Sequence, residues 1–236
     1  MCGRYTLFTP QAELEERFGA TPERPLEPRY NCAPGQALPV ITDDAPDTMQ
    51  LFEWGLVPTW AETKSDAGFI NARSETVREK RSFAEAFERR RCLVPADGFY
   101  EWTETDSGKQ PYRVAFEDDR PFAMAGIWER WHPKARQSGL AEFGQGGADD
   151  PDPESTVVET FAVLTTEPNA TVSGLHDRMA VVLAPDEEDA WLDADPDAAG
   201  ALLDPYPDDA MHAYPVSTRV NSPRNDDPSL VEAVEA

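Results

Sequence analysis

Lysine is nearly missing from this chain. Only Lys64, Lys80, Lys109 and Lys134 stand among its 21 basic residues, against 45 acidic ones, so the net charge is −24. That balance is at odds with a broad basic groove for polyanions. Excess negative charge also destabilises a compact state by self-repulsion. At about 1 M salt the Debye length falls to about 3 Å and the repulsion is largely screened. A halophilic, salt-rich cytoplasm is therefore expected, with an acidic mesophilic protein as the plainer alternative. Long apolar runs are absent too. No stretch approaches the roughly 20 residues of a membrane span, and the start lacks the basic and apolar regions of a signal peptide. A soluble, cytoplasmic protein without a membrane partner is expected. Cysteine is scarce: Cys2, Cys32 and Cys92 show no CxxC spacing and no neighbouring histidine. Their odd number argues against a disulfide framework, and nothing in the pattern calls for a metal or cofactor.

What is present is unevenly spread. Residues 1–101 hold 12 basic and 17 acidic residues, a net of −5, whereas residues 102–236 hold 9 and 28, a net of −19. Within the first half, Arg73, Arg78, Lys80, Arg81, Arg89, Arg90 and Arg91 face only Glu75, Glu79, Glu85 and Glu88, a local net of +3. Such a segment is usually a solvated helical face. In so acidic a chain it is also a candidate anion-binding surface.

With 236 residues and 40% hydrophobic content the chain can bury one good core, and it reads as a single domain over 1–236. Thr9-Pro10 predicts an N-cap and first helical residue for a helix running to Phe18 and closed by Gly19. Ser82 and Glu85 fit a capping box for a helix over 83–91, and a third helix is expected at 186–192. Strands are predicted at 37–41, 50–54, 92–95, 98–103, 111–117, 121–128, 157–166, 179–184 and 213–217. They outnumber the helices without alternating with them. That pattern predicts an α+β fold with largely antiparallel strands and disfavours a doubly wound parallel sheet. Residues 136–156, rich in Gly, Asp and Ser, read as a flexible surface loop.

Position 2 carries the most chemistry. An initiator methionine is normally trimmed before a small residue, which would leave Cys2 with a free thiol and a free α-amine. This 1,2-aminothiol can condense with an aldehyde through a Schiff base that the thiol traps as a five-membered thiazolidine. The reference pKa values, about 8.5 for the thiol and about 7.7 to 8.0 for the amine, bring both groups within reach of activation near neutrality. Candidate helpers stand in ordered contexts. Asn71 and Arg73 follow the apolar Phe69-Ile70. Glu101 lies between Tyr100 and Trp102, where burial would raise its pKa for acid–base work, although ordinary strand alternation would turn it to solvent. His176 precedes an apolar strand, whereas His132 and His212 sit in polar, proline-adjacent surroundings.

Taken in order, Met1-Cys2-Gly3-Arg4-Tyr5, Tyr30-Asn31-Cys32-Ala33-Pro34, Trp54-Gly55-Leu56-Val57-Pro58, Asn71-Ala72-Arg73-Ser74-Glu75-Thr76, Gly98-Phe99-Tyr100-Glu101-Trp102, His176-Asp177-Arg178-Met179 and Val220-Asn221-Ser222-Pro223 closely resemble the SOS-response-associated peptidase family. The resemblance spans nearly the whole chain. It implies a barrel-like β core flanked by short helices. It also implies a protein of the DNA-damage response that senses abasic sites in single-stranded DNA and crosslinks to them through Cys2, with lyase activity and autoproteolytic loss of Met1 as possible companions. By the same resemblance, Asn71 would hold the amine or the forming ring, Glu101 would shuttle protons, and His176 would assist sugar opening or protonate a leaving group. Arg4, Arg73 and Arg178 would grip phosphates as bidentate donors. Pro34 and Trp60 would wedge between bases. The implied partner is single-stranded DNA containing abasic sites, met by a monomer at the damaged nucleoid. Two positions depart from the pattern: Ala180 stands where the family usually has proline, and Cys32 where an apolar residue is common.

Three other classes remain open on sequence alone: an amidotransferase with an N-terminal nucleophile, a cysteine peptidase using Cys2 with His176 and Asn71, and a single-strand-binding module without chemistry. An amidotransferase would ordinarily follow Met-Cys-Gly with an apolar residue rather than Arg4-Tyr5. Every covalent reading that uses the amine needs Met1 removed. Intact-mass measurement is expected to show a chain beginning at Cys2, and a retained Met1 excludes thiazolidine formation.

Overall fold

The computed structural model describes residues 2–64, 68–106, 108–132 and 157–235. The loop expected at 136–156 lies outside the described residues. The first half contains β1 (Tyr5–Leu7), α1 (Gln11–Phe18), β2 (Thr21–Pro22), β3 (Arg29–Cys32), β4 (Ala37–Thr42), β5 (Ala45–Trp54), β6 (Asn71–Arg73), α2 (Ala84–Arg89) and β7 (Arg91–Ala96). It is followed by β8 (Gly98–Thr105), β9 (Gly108–Phe116), β10 (Phe122–Trp131), β11 (Val158–Thr166), α3 (Ala170–Ser173), β12 (Met179–Ala180) and β13 (Val182–Leu183). The chain then forms α4 (Glu188–Asp193), α5 (Pro196–Gly200) and β14 (Met211–Pro215) before two 3₁₀ turns.

Five strands close on themselves. β4 pairs antiparallel with β5 and β7, β7 with β10, and β10 with β11. The ring is completed where β11 meets β5 in parallel, Thr160 opposite Glu53 and Phe161 opposite Trp54. Closure leaves these strands no free edge for pairing with another chain. Their buried residues, among them Val40, Phe52, Trp54, Val94, Met124 and Phe161, belong to one continuous core. Beside the barrel lies a second, antiparallel sheet in the order β14-β9-β8-β1-β3. Tyr5 of β1 reaches across to Trp54, with ring centroids 5.2 Å apart, and so joins the sheet to the barrel. The α+β fold with a largely antiparallel core is as the sequence predicts.

The local differences have tertiary causes. Gly19 closes α1 in the left-handed conformation at φ 65°, as expected. At the other end Pro10 takes the cap position, without a side-chain bond. Thr9 is drawn away because the Asp97 carboxylate accepts from the Phe8 and Thr9 amides at 2.6 and 2.9 Å and from the Thr9 hydroxyl at 3.1 Å. The capping box at Ser82 is not formed, and α2 is shorter than predicted. Arg91 leaves the helix to enter β7, where its guanidinium satisfies the carbonyls of Trp191, Phe87, Leu192 and Ala194. Those acceptors include the C-terminal carbonyls of α4, so a buried cation here does the work of a helix cap. The predicted strand 179–184 is interrupted at Val181, whose N–H donates to Leu164 while its carbonyl accepts from Ala125. The short strands β1, β3 and β6 were not predicted. They are too brief to show alternation and are held by the neighbours they pair with.

The barrel leaves little slack at Gly126 of β10. A Cβ there would come within 2.8 Å of Cys92 Sγ and 2.9 Å of Val94 Cγ2. Gly126→Ala is therefore expected to destabilise the fold by about 1–3 kcal/mol, read by thermal or urea unfolding. An unchanged stability would show that the wall between β7 and β10 can shift to admit a methyl group.

Candidate active site

Cys2 is fully buried just ahead of β1, the strand held between β3 and β8. The Arg4 carbonyl accepts from the Tyr100 amide at 3.0 Å, which extends this ladder towards the chain start. The Cys2 thiol lies 3.8 Å from the same carbonyl. Burial pushes its pKa well up, and the nearby Glu101 charge pushes it further. The resting thiol is consequently neutral. Cys32 and Cys92 are also buried and raised by desolvation, as small core residues should be.

Glu101 lies on β8, and at 1% exposure it settles the alternation question in favour of burial. Desolvation pushes its pKa from 4.5 up to about 7, and the Asp177 charge adds to that shift. The carboxyl is thus poised to exchange protons near neutrality. Its strand is braced from below. The Arg113 guanidinium donates to the Asp97 carbonyl at 2.7 Å and to the Tyr214 hydroxyl at 2.8 Å. A Cβ on Gly98 would meet Arg113 Nε at 2.7 Å, so the glycine opening this segment makes room for the brace.

His176 follows α3, whose N-cap Asn169 accepts from the Val172 amide at 3.1 Å. The imidazole Nδ1 accepts from the Arg178 amide at 3.0 Å and also lies 2.9 Å from Asp177 Oδ1. Accepting the amide proton requires an unprotonated Nδ1. Burial lowers the His176 pKa, so the neutral ring outweighs an ion pair with the exposed Asp177. Arg178 departs from its expected role as an exposed phosphate grip. Its side chain is largely buried, with both terminal nitrogens on the Glu75 carboxylate, and Nη2 also donates to the Thr165 carbonyl at 2.6 Å. A guanidinium committed in this way ties the His176 loop to the turn that follows β6.

Arg4, Glu101 and His176 line one open cleft of about 480 Å³, together with Trp102, Lys109 and Asn221. The last three were missed as site residues. Asn221 accepts from Trp102 Nε1 at 2.7 Å. Their signal was faint: Asn221 and Trp102 stand inside two of the ordered motifs, and Lys109 is one of very few lysines. Asn71 and Arg73 border a different cleft of about 450 Å³. β6 pairs there with β11, Asn71 opposite Val163, and the Asn71 amide sits 3.5 Å from the Val163 carbonyl while its own Oδ1 is buried without a partner. Trp60 is exposed, with Arg81 stacked 5.1 Å above its ring. Pro34 is half-buried at the turn closed by Gln36 donating to the Ala33 carbonyl, where Gly35 takes φ 80°. Among the described residues no cluster of His, Cys, Asp and Glu could hold a metal ion.

A closed barrel with a flanking sheet that buries Cys2 near a carboxyl raised to about 7 defines the fold and the site. The profile of the SOS response associated peptidase (SRAP) family matches residues 1–223, and the chain belongs to that family. It is 38% identical over 242 aligned positions to the abasic site processing protein YoqW of Bacillus subtilis, covering 99% of this chain and all of that one. It is 30% identical to the abasic site processing protein HMCES of Xenopus tropicalis, over 88% of this chain and 67% of that relative. A crystal structure of a protein from Bacteroides thetaiotaomicron superposes with a TM-score of 0.83 at 28% identity, covering 99% of this chain and all of that one.

The burial of Glu101 has a thermodynamic signature. Its carboxyl holds a proton to higher pH when folded than when unfolded, so native stability falls as pH rises from about 4.5 through about 7. The deficit levels off at up to about 3 kcal/mol above that range. Glu101→Gln is expected to unfold at higher temperature than the parent at pH 8 and at nearly the same temperature at pH 4. Equal unfolding temperatures at pH 8 would contradict the desolvated carboxyl.

Proposed function

We infer that this protein captures abasic sites in single-stranded DNA as a covalent thiazolidine on the mature Cys2. The observation that carries this reading is Glu101, buried beside Cys2 with its carboxyl raised to about 7. Relatives named as abasic site processing proteins along the full chain support it. Loss of Met1 is the one proteolytic step required, since it exposes the amine.

The chemistry follows from those groups. The neutral Cys2 amine adds to C1′ of the ring-opened sugar aldehyde, giving a carbinolamine. Protonated Glu101 donates to the departing hydroxyl, water leaves and an iminium remains. Sγ then adds to C1′ while the Glu101 carboxylate takes the thiol proton. A C–N and a C–S bond form, one water is released, and Glu101 ends protonated, as it began. A buried carboxyl near neutrality can hold both protonation states in turn. The neutral His176 imidazole suits opening of the sugar hemiacetal, and strand cleavage would use the same iminium. Arg4 supplies a cation at the cleft.

A cysteine peptidase is a weaker fit. It needs a thiolate stabilised by an imidazolium, whereas burial and Glu101 raise the Cys2 thiol and His176 is shifted towards neutrality. The acidic surface adds a reason for a covalent product. With a slope of about −0.7 per phosphate, five phosphate contacts lose roughly five decades of affinity between about 0.1 and about 3 M salt. A covalent bond is insensitive to that loss. We place the protein in a salt-rich cytoplasm, acting as a monomer.

Mature protein mixed with a single strand containing an abasic site is expected to give a slow band on a denaturing gel. The band should vanish in Cys2→Ala, and its rate of appearance should pass through a maximum near neutrality, rising as the amine loses its proton and falling as Glu101, which must begin protonated, ionises through about 7. Glu101→Gln should flatten that profile and slow capture by about 10²–10⁴-fold, the usual worth of a positioned acid–base group. No band from correctly trimmed protein would sink the proposal.

A further inference from the structure

The cleft beside Asn71 is apart from the one that holds Glu101 and His176, and its lining points to a ligand of its own. Phe69 and Phe83 are both half-buried and meet edge to face, with centroids 5.1 Å apart and planes at 80°. Arg73 and Lys80 stand exposed on its border, with Thr76, Ser82 and Asn71 between them. Arg81 is adjacent in sequence and lies over the exposed Trp60 ring.

The charges are the telling part. Most arginines among the described residues are neutralised: Arg17, Arg29, Arg78, Arg90, Arg113, Arg120, Arg130, Arg178 and Arg219 each form an ion pair with a carboxylate. Among the described residues Arg73, Lys80 and Arg81 form none, in a chain where acidic residues outnumber basic ones by 45 to 21. Three such cations grouped together amid so many available carboxylates mark a surface kept open for an external anion. Two aromatic rings beside them add a flat, apolar recess, and the buried Asn71 Oδ1 offers an unused acceptor. An anion that carries its own planar ring meets all of these features. An acidic peptide would use the cations and leave the aromatic recess unexplained.

We propose that the cleft formed by Phe69, Phe83, Arg73 and Lys80 is a nucleotide subsite that takes the intact base on one side of the abasic site, its phosphates lying across Arg73, Lys80 and Arg81. The proposal rests on the function inferred above and deepens it: capture depends on the base beside the lesion as well as on the aldehyde. Base–aromatic contact is sequence-tolerant, so any base suffices and a missing one does not.

The test uses mature protein and short single strands carrying a tetrahydrofuran abasic analogue, which has no aldehyde and reports noncovalent affinity. A second tetrahydrofuran replaces the neighbouring nucleotide on one side or the other. Removing the base on one side is expected to weaken binding about tenfold, and removing the other to have little effect. Phe83→Ala should abolish the difference between the sides. Phe83→Leu, which keeps the apolar packing, should lose it as well, so a folding defect is distinguishable from a lost ring. Lys80→Gln with Arg81→Gln should lower the slope of log affinity against log salt by about 0.7 for each phosphate contact removed. Equal responses to the two single-base removals, or a side preference that survives in both Phe83 variants, would overturn the proposal. If wild-type protein crosslinks a true abasic site but shows no side preference, the subsite fails and the capture function stands. A side preference without any crosslink would uphold the subsite and overturn the capture function.

Discussion

Everything at the candidate site depends on one constraint: the first residues of the chain are built into a sheet. β1 is only three residues long, yet it is hydrogen-bonded on both sides, to β3 and to β8, and its Tyr5 ring is locked against Trp54 of the barrel. Chain ends are ordinarily frayed because ordering them costs about 1–2 kcal/mol per residue of backbone entropy. Here paired strands and a shared core offset that cost. The result is a cysteine at position 2 held without solvent exposure beside a fixed carboxyl, which a mobile terminus could not provide.

The same burial sets the protonation of the groups around it. Desolvation disfavours charge whatever its sign, so it raises Cys2 and Glu101 and lowers His176. Three groups with quite different ordinary pKa values are thereby biased towards their neutral forms in one small region. Holding Glu101 there reduces native stability above neutrality, and the surrounding structure carries the cost through the Arg113 brace under β8 and the Arg178–Glu75 tie behind His176.

Charge is handled with similar economy. The surface is strongly acidic, but the cations are assigned individually. Some, like Arg91, replace helix caps, and others, like Arg178, cross-link loops. Three that form no ion pair, Arg73, Lys80 and Arg81, stand together at or next to an aromatic-lined cleft. A diffuse positive field would be of little use in concentrated salt, where the Debye length is shorter than a side chain. Directed contacts at short range keep their value there.

The chain by itself determined the chemistry on offer and the class of fold. Cys2 near the chain start, the ordered motifs around Asn71, Glu101 and His176, and strands outnumbering helices were all legible, because residue identity and apolar spacing are local properties. The caps at Thr9 and Ser82 looked just as legible and were not formed, since Asp97 and Arg91 offered those segments better partners from distant parts of the sequence. Only the tertiary structure decided that Glu101 is buried rather than solvated, that Arg178 belongs to Glu75, and that Trp102, Lys109 and Asn221 share a cleft with His176. The physical reason is common to all of these: burial and charge pairing are set by which strands become neighbours, and neighbours far apart in the chain leave no periodic trace in the sequence.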